Sequence, residues 1–326
     1  MKQLLKQLVC WFVAVAFVVV LIPLAIVTIN GFGPFQKKEA PPDFSASGEV
    51  RVYQADTGET VTMPLEEYIV GVVTAEMPAS FETEALKAQA VCARTYTISK
   101  MNAQKEPDDA HHGADVCTNP AHCQAYTGKE KAYENWGRDA DAYYKKITDA
   151  TLATQGQIMT YDNQVVRAVF HSSNSGRTES AKDVWGGDFP YLTSVESGGE
   201  ELSPRYQSTV EVSVSDFQNK ILKTYPDADF KLPIGNIVRT AGGAVGTIDV
   251  GGKTIKGTEM RTLFGLRSSN FTLEEKDGNM VFSVTGNGHG VGMSQYGANY
   301  MAAQGKAWKE ILKTYYTGVE ITSISE

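Results

Sequence analysis

From Leu8 to Ile29 the chain runs for 22 residues without a charge, long enough as a helix to cross roughly 30 Å of hydrocarbon. In lipid every backbone amide has to be satisfied within the segment, so this stretch has one outcome, a single membrane-spanning helix. Lys2 and Lys6 precede the run and the next charge is Lys37, which places the short N-terminus in the cytoplasm and the bulk of the chain outside. The run exceeds a signal-peptide core of roughly 7–15 residues and no small-x-small cleavage site follows it, so an uncleaved anchor is expected, with Pro23 as a tolerated kink. Gly31 to Gly48 is rich in Gly, Pro, Ser and Lys and reads as a tether. The expected organisation is therefore residues 1–30 as cytoplasmic tip and anchor, 31–48 as linker, and 49–326 as one folded domain carrying an irregular His/Cys insert at 102–136.

The chain as a whole has ordinary globular composition, 42% hydrophobic and 21% charged over 326 residues, enough for a sizeable core. A net charge of −8 argues against nucleic acid as a partner, because phosphate neutralisation needs a basic surface. Val50–Tyr53 and Glu59–Met63 flank Asp56-Thr57-Gly58 as a hairpin. Helical patterns follow at Pro64–Glu76, about Thr83–Met101, Asp139–Ala153 and Ser294–Tyr315. Strand patterns occur at Gly156–Tyr161, Gln164–His171, Ser208–Val214, Asn236–Arg239, Val245–Val250 and Met280–Val284. Helices and strands neither alternate regularly nor segregate, so the fold class is α+β with mixed sheet, a mixed α/β ectodomain behind the anchor.

One carboxylate stands out. Leu65, Tyr68, Ile69, Val72 and Val73 share a helix face, and Glu76 falls on it four residues after Val72. Pro78 disfavours helical geometry at Met77, so Glu76 sits in the last turn, at the negative end of the helix dipole. That position and partial burial both raise a carboxyl pKa, as a general acid requires; a last-turn Glu facing water is the plain alternative. Lys87 and Arg94, two turns apart on the next helix, would bind a polar substrate beside that acid, or else are surface charges. Phe170 to Thr178 packs His171, Ser172 and Ser173 into a polar loop with Trp185 nearby, as a sugar-binding site requires, though a plain polar turn has the same composition. Gly286 to Gly297 is glycine-rich without phosphate-loop or dinucleotide spacing, which leaves His289, Gln295 and Tyr296 as polar cleft candidates, with a structural role for His289 as the alternative.

His111-His112, Cys117 and Cys123 offer nitrogen and sulfur donors suited to Zn²⁺, with His122 as a further ligand; a Cys117–Cys123 disulfide is the rival. Cys10 and Cys92 read as small apolar packers.

Taken together, Glu76-Met-Pro, Glu84-Ala-Leu-Lys-Ala-Gln-Ala-Val-Cys-Ala-Arg-Thr-Tyr96, the serine-rich loop through Trp185 and Gly288-His-Gly-Val-Gly-Met-Ser-Gln-Tyr-Gly-Ala298 resemble the stage II sporulation protein D family of endospore-forming bacteria. The resemblance implies a membrane-anchored lytic transglycosylase that cuts peptidoglycan glycan strands, preferring strands stripped of stem peptides, with stage II sporulation proteins P, an amidase, and M as partners in forespore engulfment. It further implies Glu76 as the catalytic acid, Lys87 and Arg94 as site positions, and His111, Cys117 and Cys123 as ligands of one structural zinc that the chemistry does not need. A glycosidase of the usual kind needs two carboxylates, and Glu259 or Asp183 are available for the second role. A lytic transglycosylase manages with one. Relatives of the domain also resemble enhancers of cell-wall amidases, so a non-catalytic glycan-binding module is the competing expectation. A zinc hydrolase centred on His111, Cys117 and Cys123 is disfavoured, because Glu76 lies outside that segment.

Overall fold

The computed structural model describes residues 6, 47–103 and 111–324. The apolar run at 8–29 and nearly all of the tether lie outside these residues. Among the described residues no helix is long and apolar enough to cross a membrane.

Strands β1 (Glu49–Gln54) and β2 (Glu59–Pro64) form the expected hairpin, pairing Val52 with Val61. Helix α1 (Leu65–Glu76) follows at once and ends where Pro78 requires, Met77 already being extended at φ −124° and ψ 142°. Helix α2 (Thr83–Ala103) is buried on every side between Ala88 and Thr97. Its small residues Ala85, Ala88, Ala90 and Ala93 let neighbouring elements approach closely, which makes it the central rod of the first core. β3 (Val116–Cys117) adds parallel to β1 beside the antiparallel β2, so this sheet is mixed. Helices α3 (Lys129–Trp136) and α4 (Ala140–Leu152) come next, then β4 (Gln157–Tyr161), β5 (Gln164–Val165), β6 (Phe170–His171) and the short α5 (Ala181–Trp185).

A second core occupies the stretch containing β7 (Gln207–Ser213), α6 (Val214–Thr224), β8 (Ile237–Arg239), β9 (Val245–Val250), β10 (Lys253–Lys256), α7 (Gly257–Phe264), β11 (Phe271–Lys276) and β12 (Asn279–Thr285). Phe217 stacks on Phe264 at 5.0 Å, and Phe282 meets Phe264 and Phe271 at 4.9 and 5.5 Å, closing it. The chain then returns to the first core through β13 (Met293–Ser294), α8 (Gln295–Ala303), α9 (Trp308–Tyr315) and β14 (Glu320–Ser323). The described strands form small sheets, ordered β2-β1-β3, β14-β4-β5, β13-β6, β11-β12-β7 and β10-β9-β8. The class is α+β, as expected.

Three local expectations are corrected. The run Gln164–His171 is not one strand: β5 turns back on β4, while β6 pairs parallel with β13 in another sheet. The last helix breaks in two around Gly305, whose φ of +84° is the left-handed region that ends helices. Residues 102–136 are irregular only in part, since Lys129–Trp136 is helical.

Candidate active site

Glu76 is set in place from two sides. Residues 124–127 lie across the second half of α1, where Gly71 leaves room for them: a Cβ there would stand 2.2 Å from the Tyr126 ring. Thr127 N–H donates to the Gly71 carbonyl at 3.0 Å and Tyr126 stacks on Tyr68 at 5.7 Å. This crossing brings Ala125 N–H to 2.8 Å from Glu76 Oε1. From the other side Gln295, the first residue of α8, reaches Glu76 with its side-chain amide. Burial holds the Glu76 carboxyl above the usual carboxylate range, and these two hydrogen bonds oppose it without cancelling it.

Glu76 opens onto a cleft of about 630 Å³ walled by Tyr96, Phe170, Trp185 and Phe189, by residues 120–124, and by Arg167 and His289. Trp185 stays 48% exposed, and its ring lies 5.1 Å from that of His289. Aromatic faces beside polar edges are what a sugar ring stacks on. Among the described residues that line this cleft, Glu76 is the sole carboxylate. Neither suggested second acid joins it: Asp183 is hydrogen-bonded to Ser180 at the start of α5, and Glu259 receives the Tyr225 hydroxyl at 2.9 Å in an adjoining groove.

The other sequence candidates separate into groups. His289 lines the cleft; its Nδ1 accepts from Val291 N–H at 3.1 Å, and burial pushes its pKa down to about 3, with His171 and Arg261 adding to the effect. His171 lies behind it, with Nδ1 3.1 Å from the Val291 carbonyl and Nε2 facing the Asn174 amide at 3.3 Å; burial lowers it to about 4. Both imidazoles are neutral at physiological pH. Ser172 contributes its carbonyl to Tyr296 N–H at 3.1 Å, which ties the two polar loops together. Ser173 is buried and faces an inner cavity rather than the cleft. Tyr296 packs edge-on against Phe81 at 5.0 Å.

Lys87 and Arg94 do not reach the cleft. Lys87 pairs with Glu84 at 2.7 Å on the outer side of α2. Arg94 has no exposed surface; it forks onto Glu66, with Nε 2.8 Å from Oε1, and donates to the carbonyls of Gln157 and Thr151. Seven residues on one helix keep a common side, but the rest of the fold wraps that side at Arg94 and leaves it open at Lys87. Their assignment to substrate is corrected accordingly.

Two features went unseen in the sequence. Glu200, buried in an irregular segment, accepts from Asn174 N–H at 2.8 Å, Asn174 Nδ2 at 3.0 Å, Ser294 Oγ at 2.9 Å and Ser197 Oγ, so it clasps the two polar loops from beneath. Burial pushes its carboxyl up to about 7. The second is Arg167, between β5 and β6, whose neighbours are apolar and carry no motif.

The metal candidates converge. His111 Nε2 lies 3.0 Å from Cys123 Sγ, His122 Nδ1 lies 3.6 Å from Cys117 Sγ and 3.8 Å from Cys123 Sγ, and all four donor atoms fall within 4.8 Å of one another. Both cysteines are free thiols. Metal–ligand bonds of about 2.0–2.3 Å in a tetrahedron put donors roughly 3.3–3.8 Å apart, so the set fits one metal ion with His122 as the fourth ligand.

A family model for stage II sporulation protein, SpoIID, matches residues 53–161. The chain is 40% identical over 291 residues to stage II sporulation protein D of Bacillus amyloliquefaciens, covering 88% of this chain and 83% of that one. It is also 40% identical over 274 residues to stage II sporulation protein D of Bacillus subtilis, covering 84% and 78%. An amidase enhancer of Bacillus subtilis is 28% identical over 78% of this chain, though over only 40% of its own length. With so much of both chains aligned, this protein belongs to the stage II sporulation protein D family.

Proposed function

We propose that the protein is a membrane-anchored lytic transglycosylase that cuts peptidoglycan glycan strands, preferentially those freed of stem peptides, during engulfment. The observation that carries this reading is a sugar-sized aromatic cleft in which Glu76 is the single carboxylate among the described lining residues. With burial keeping it protonatable, Glu76 donates its proton to the glycosidic oxygen as the C1–O bond breaks. The resulting carboxylate then takes the proton of the muramic acid 6-hydroxyl as that oxygen bonds to C1. Glu76 returns to its starting state, no water is consumed, and the product is a 1,6-anhydro end. The Ala125 N–H and the Gln295 amide stabilise the carboxylate stage.

Zn²⁺ held by His111, Cys117, His122 and Cys123 would supply structural clamping: four protein ligands leave no open position for substrate. It would fix the segment that leads into Ala125. The N-terminal helix would hold the domain outside the membrane of the engulfing mother cell, where stage II sporulation protein P strips the peptides and protein M joins the assembly.

The test is mass spectrometry of products from the full-length chain and its Glu76→Gln variant on peptide-stripped strands. Anhydro ends that disappear in the variant, with its circular dichroism unchanged, support the reading; undiminished cleavage by the variant overturns Glu76 as the acid. The similarity to an amidase enhancer favours a second reading, a non-catalytic module that binds glycan and stimulates an amidase. In that case neither protein yields any product alone.

A further inference from the structure

Among its described lining residues the cleft holds one acidic and one basic side chain, Glu76 and Arg167, and they do not pair. Arg167 is the one Lys or Arg among the described lining residues, and its side chain is exposed. Its backbone is fixed, since Arg167 N–H donates to the Tyr191 hydroxyl at 3.0 Å. Its guanidinium has no hydrogen-bond or ion-pair partner among the described residues. Its charge is nevertheless felt by Tyr96, whose ring lines the same cleft and whose hydroxyl donates to the His122 carbonyl at 3.3 Å. Elsewhere Arg51, Arg94 and Arg177 have carboxylate partners and Arg239 and Arg261 donate to carbonyls, while Arg138, Arg205 and Arg267 also lack a side-chain partner among the described residues but do not line this cleft. A planar fork left unpaired in a cleft is suited to an anion on the ligand.

The chemistry of the proposed substrate supplies one. Each muramic acid carries a lactyl carboxyl group, which is a free carboxylate where the stem peptide is absent and a neutral amide where it is present. A protein of net charge −8 repels an anionic strand as a whole, so affinity for the charged form needs a localised cation. We infer that Arg167 is the residue that distinguishes peptide-free glycan, by forking onto the free lactyl carboxylate of a muramic acid seated in the Glu76 cleft. This rests on the glycan reading above and extends it to a specificity-determining side chain. The amide of a peptide-bearing strand offers Arg167 one neutral carbonyl in place of two charged oxygens.

The test measures binding by the full-length chain, solubilised in detergent and carrying Glu76→Gln so that no ligand is consumed. The probes are a tetrasaccharide of alternating N-acetylglucosamine and muramic acid with free lactyl carboxylates, and the same compound with those carboxylates converted to neutral methylamides. Tighter binding of the carboxylate form, by roughly tenfold or more, is expected for a charge-assisted pair. Adding Arg167→Ala abolishes that preference while leaving the methylamide affinity in place, and Arg167→Lys restores part of it. Preference that survives Arg167→Ala, or equal loss for both probes, overturns the role of Arg167 and leaves glycan binding standing. No binding of either probe overturns both this inference and the glycan reading.

Discussion

Removing the Arg94 guanidinium is the perturbation that most sharply separates a structural role from a substrate-binding one. Arg94 and Glu66 are both fully buried and joined by a two-pronged bridge. Glu66 otherwise receives the Gly156 N–H at 3.2 Å, and Arg94 otherwise donates to the carbonyls of Gln157 and Thr151. The pair thus binds α1 and α2 to the turn between α4 and β4. In Arg94→Met the Glu66 carboxylate stays buried with one backbone donor, and breaking such a pair from one side costs about 3–5 kcal/mol. For a folded unit of this size that corresponds to a fall in melting temperature of roughly 5–15 °C. Replacing both partners, as in Arg94→Met with Glu66→Leu, removes the orphan charge and should recover most of the loss. The assay is thermal unfolding of the full-length protein followed by circular dichroism, with glycan binding measured well below the transition. Arg94→Met should melt early yet bind glycan normally when cold. A variant that melts like the parent but binds glycan weakly would refute the reasoning and return Arg94 to the substrate.

Two further outcomes are expected. Atomic emission should find one zinc per chain, absent from a Cys117→Ser, Cys123→Ser variant, with a melting point lowered by several degrees; a Cys117–Cys123 disulfide in peptide mass spectra would contradict the metal centre. Glu200 binds its proton more tightly folded, at about 7, than the usual value of 4.5, so the stability it confers is full below about pH 4.5 and is lost as pH rises to 7. That loss amounts to about 3 kcal/mol. Glu200→Gln should flatten the decline in melting temperature across this window, and an unchanged decline would show that Glu200 is not the group titrating.

Glu76 was legible because local rules determine it: apolar spacing sets the helix face and Pro78 sets the helix end, and both are written in adjacent residues. The hairpin and the central helix were legible for the same reason. Arg94 was misread because spacing along a helix says which residues share a side but not what covers that side, and its partner Glu66 comes from the preceding helix. Glu200 and Arg167 lie in segments without periodicity and act through contacts with residues far along the chain, such as Ser294 for Glu200. His122 needed only the fold of its own loop, and its place beside Cys123 was signal enough to suggest it.

The separation of charge in the cleft follows from what a single acid has to do. A guanidinium bonded to Glu76 would stabilise its carboxylate and lower its pKa, leaving too little of the protonated form to start the reaction. The influences on Glu76 are burial, one backbone N–H and one amide, with no cation among them. His171 and His289, the imidazoles of the two polar loops, are kept neutral by burial. Any positive charge needed to hold an anionic strand therefore has to stand apart from the acid, and Arg167, on the segment between β5 and β6, meets that condition. Moving the cation toward the acid would strengthen binding of the anionic strand and weaken proton donation. This predicts that a cation introduced beside the acid, as in Gln295→Lys, depresses the Glu76 pKa and shifts the pH–rate profile of cleavage to lower pH, whereas Arg167→Ala leaves that profile where it is. Equal shifts in both variants would mean that Arg167 is coupled to the acid after all.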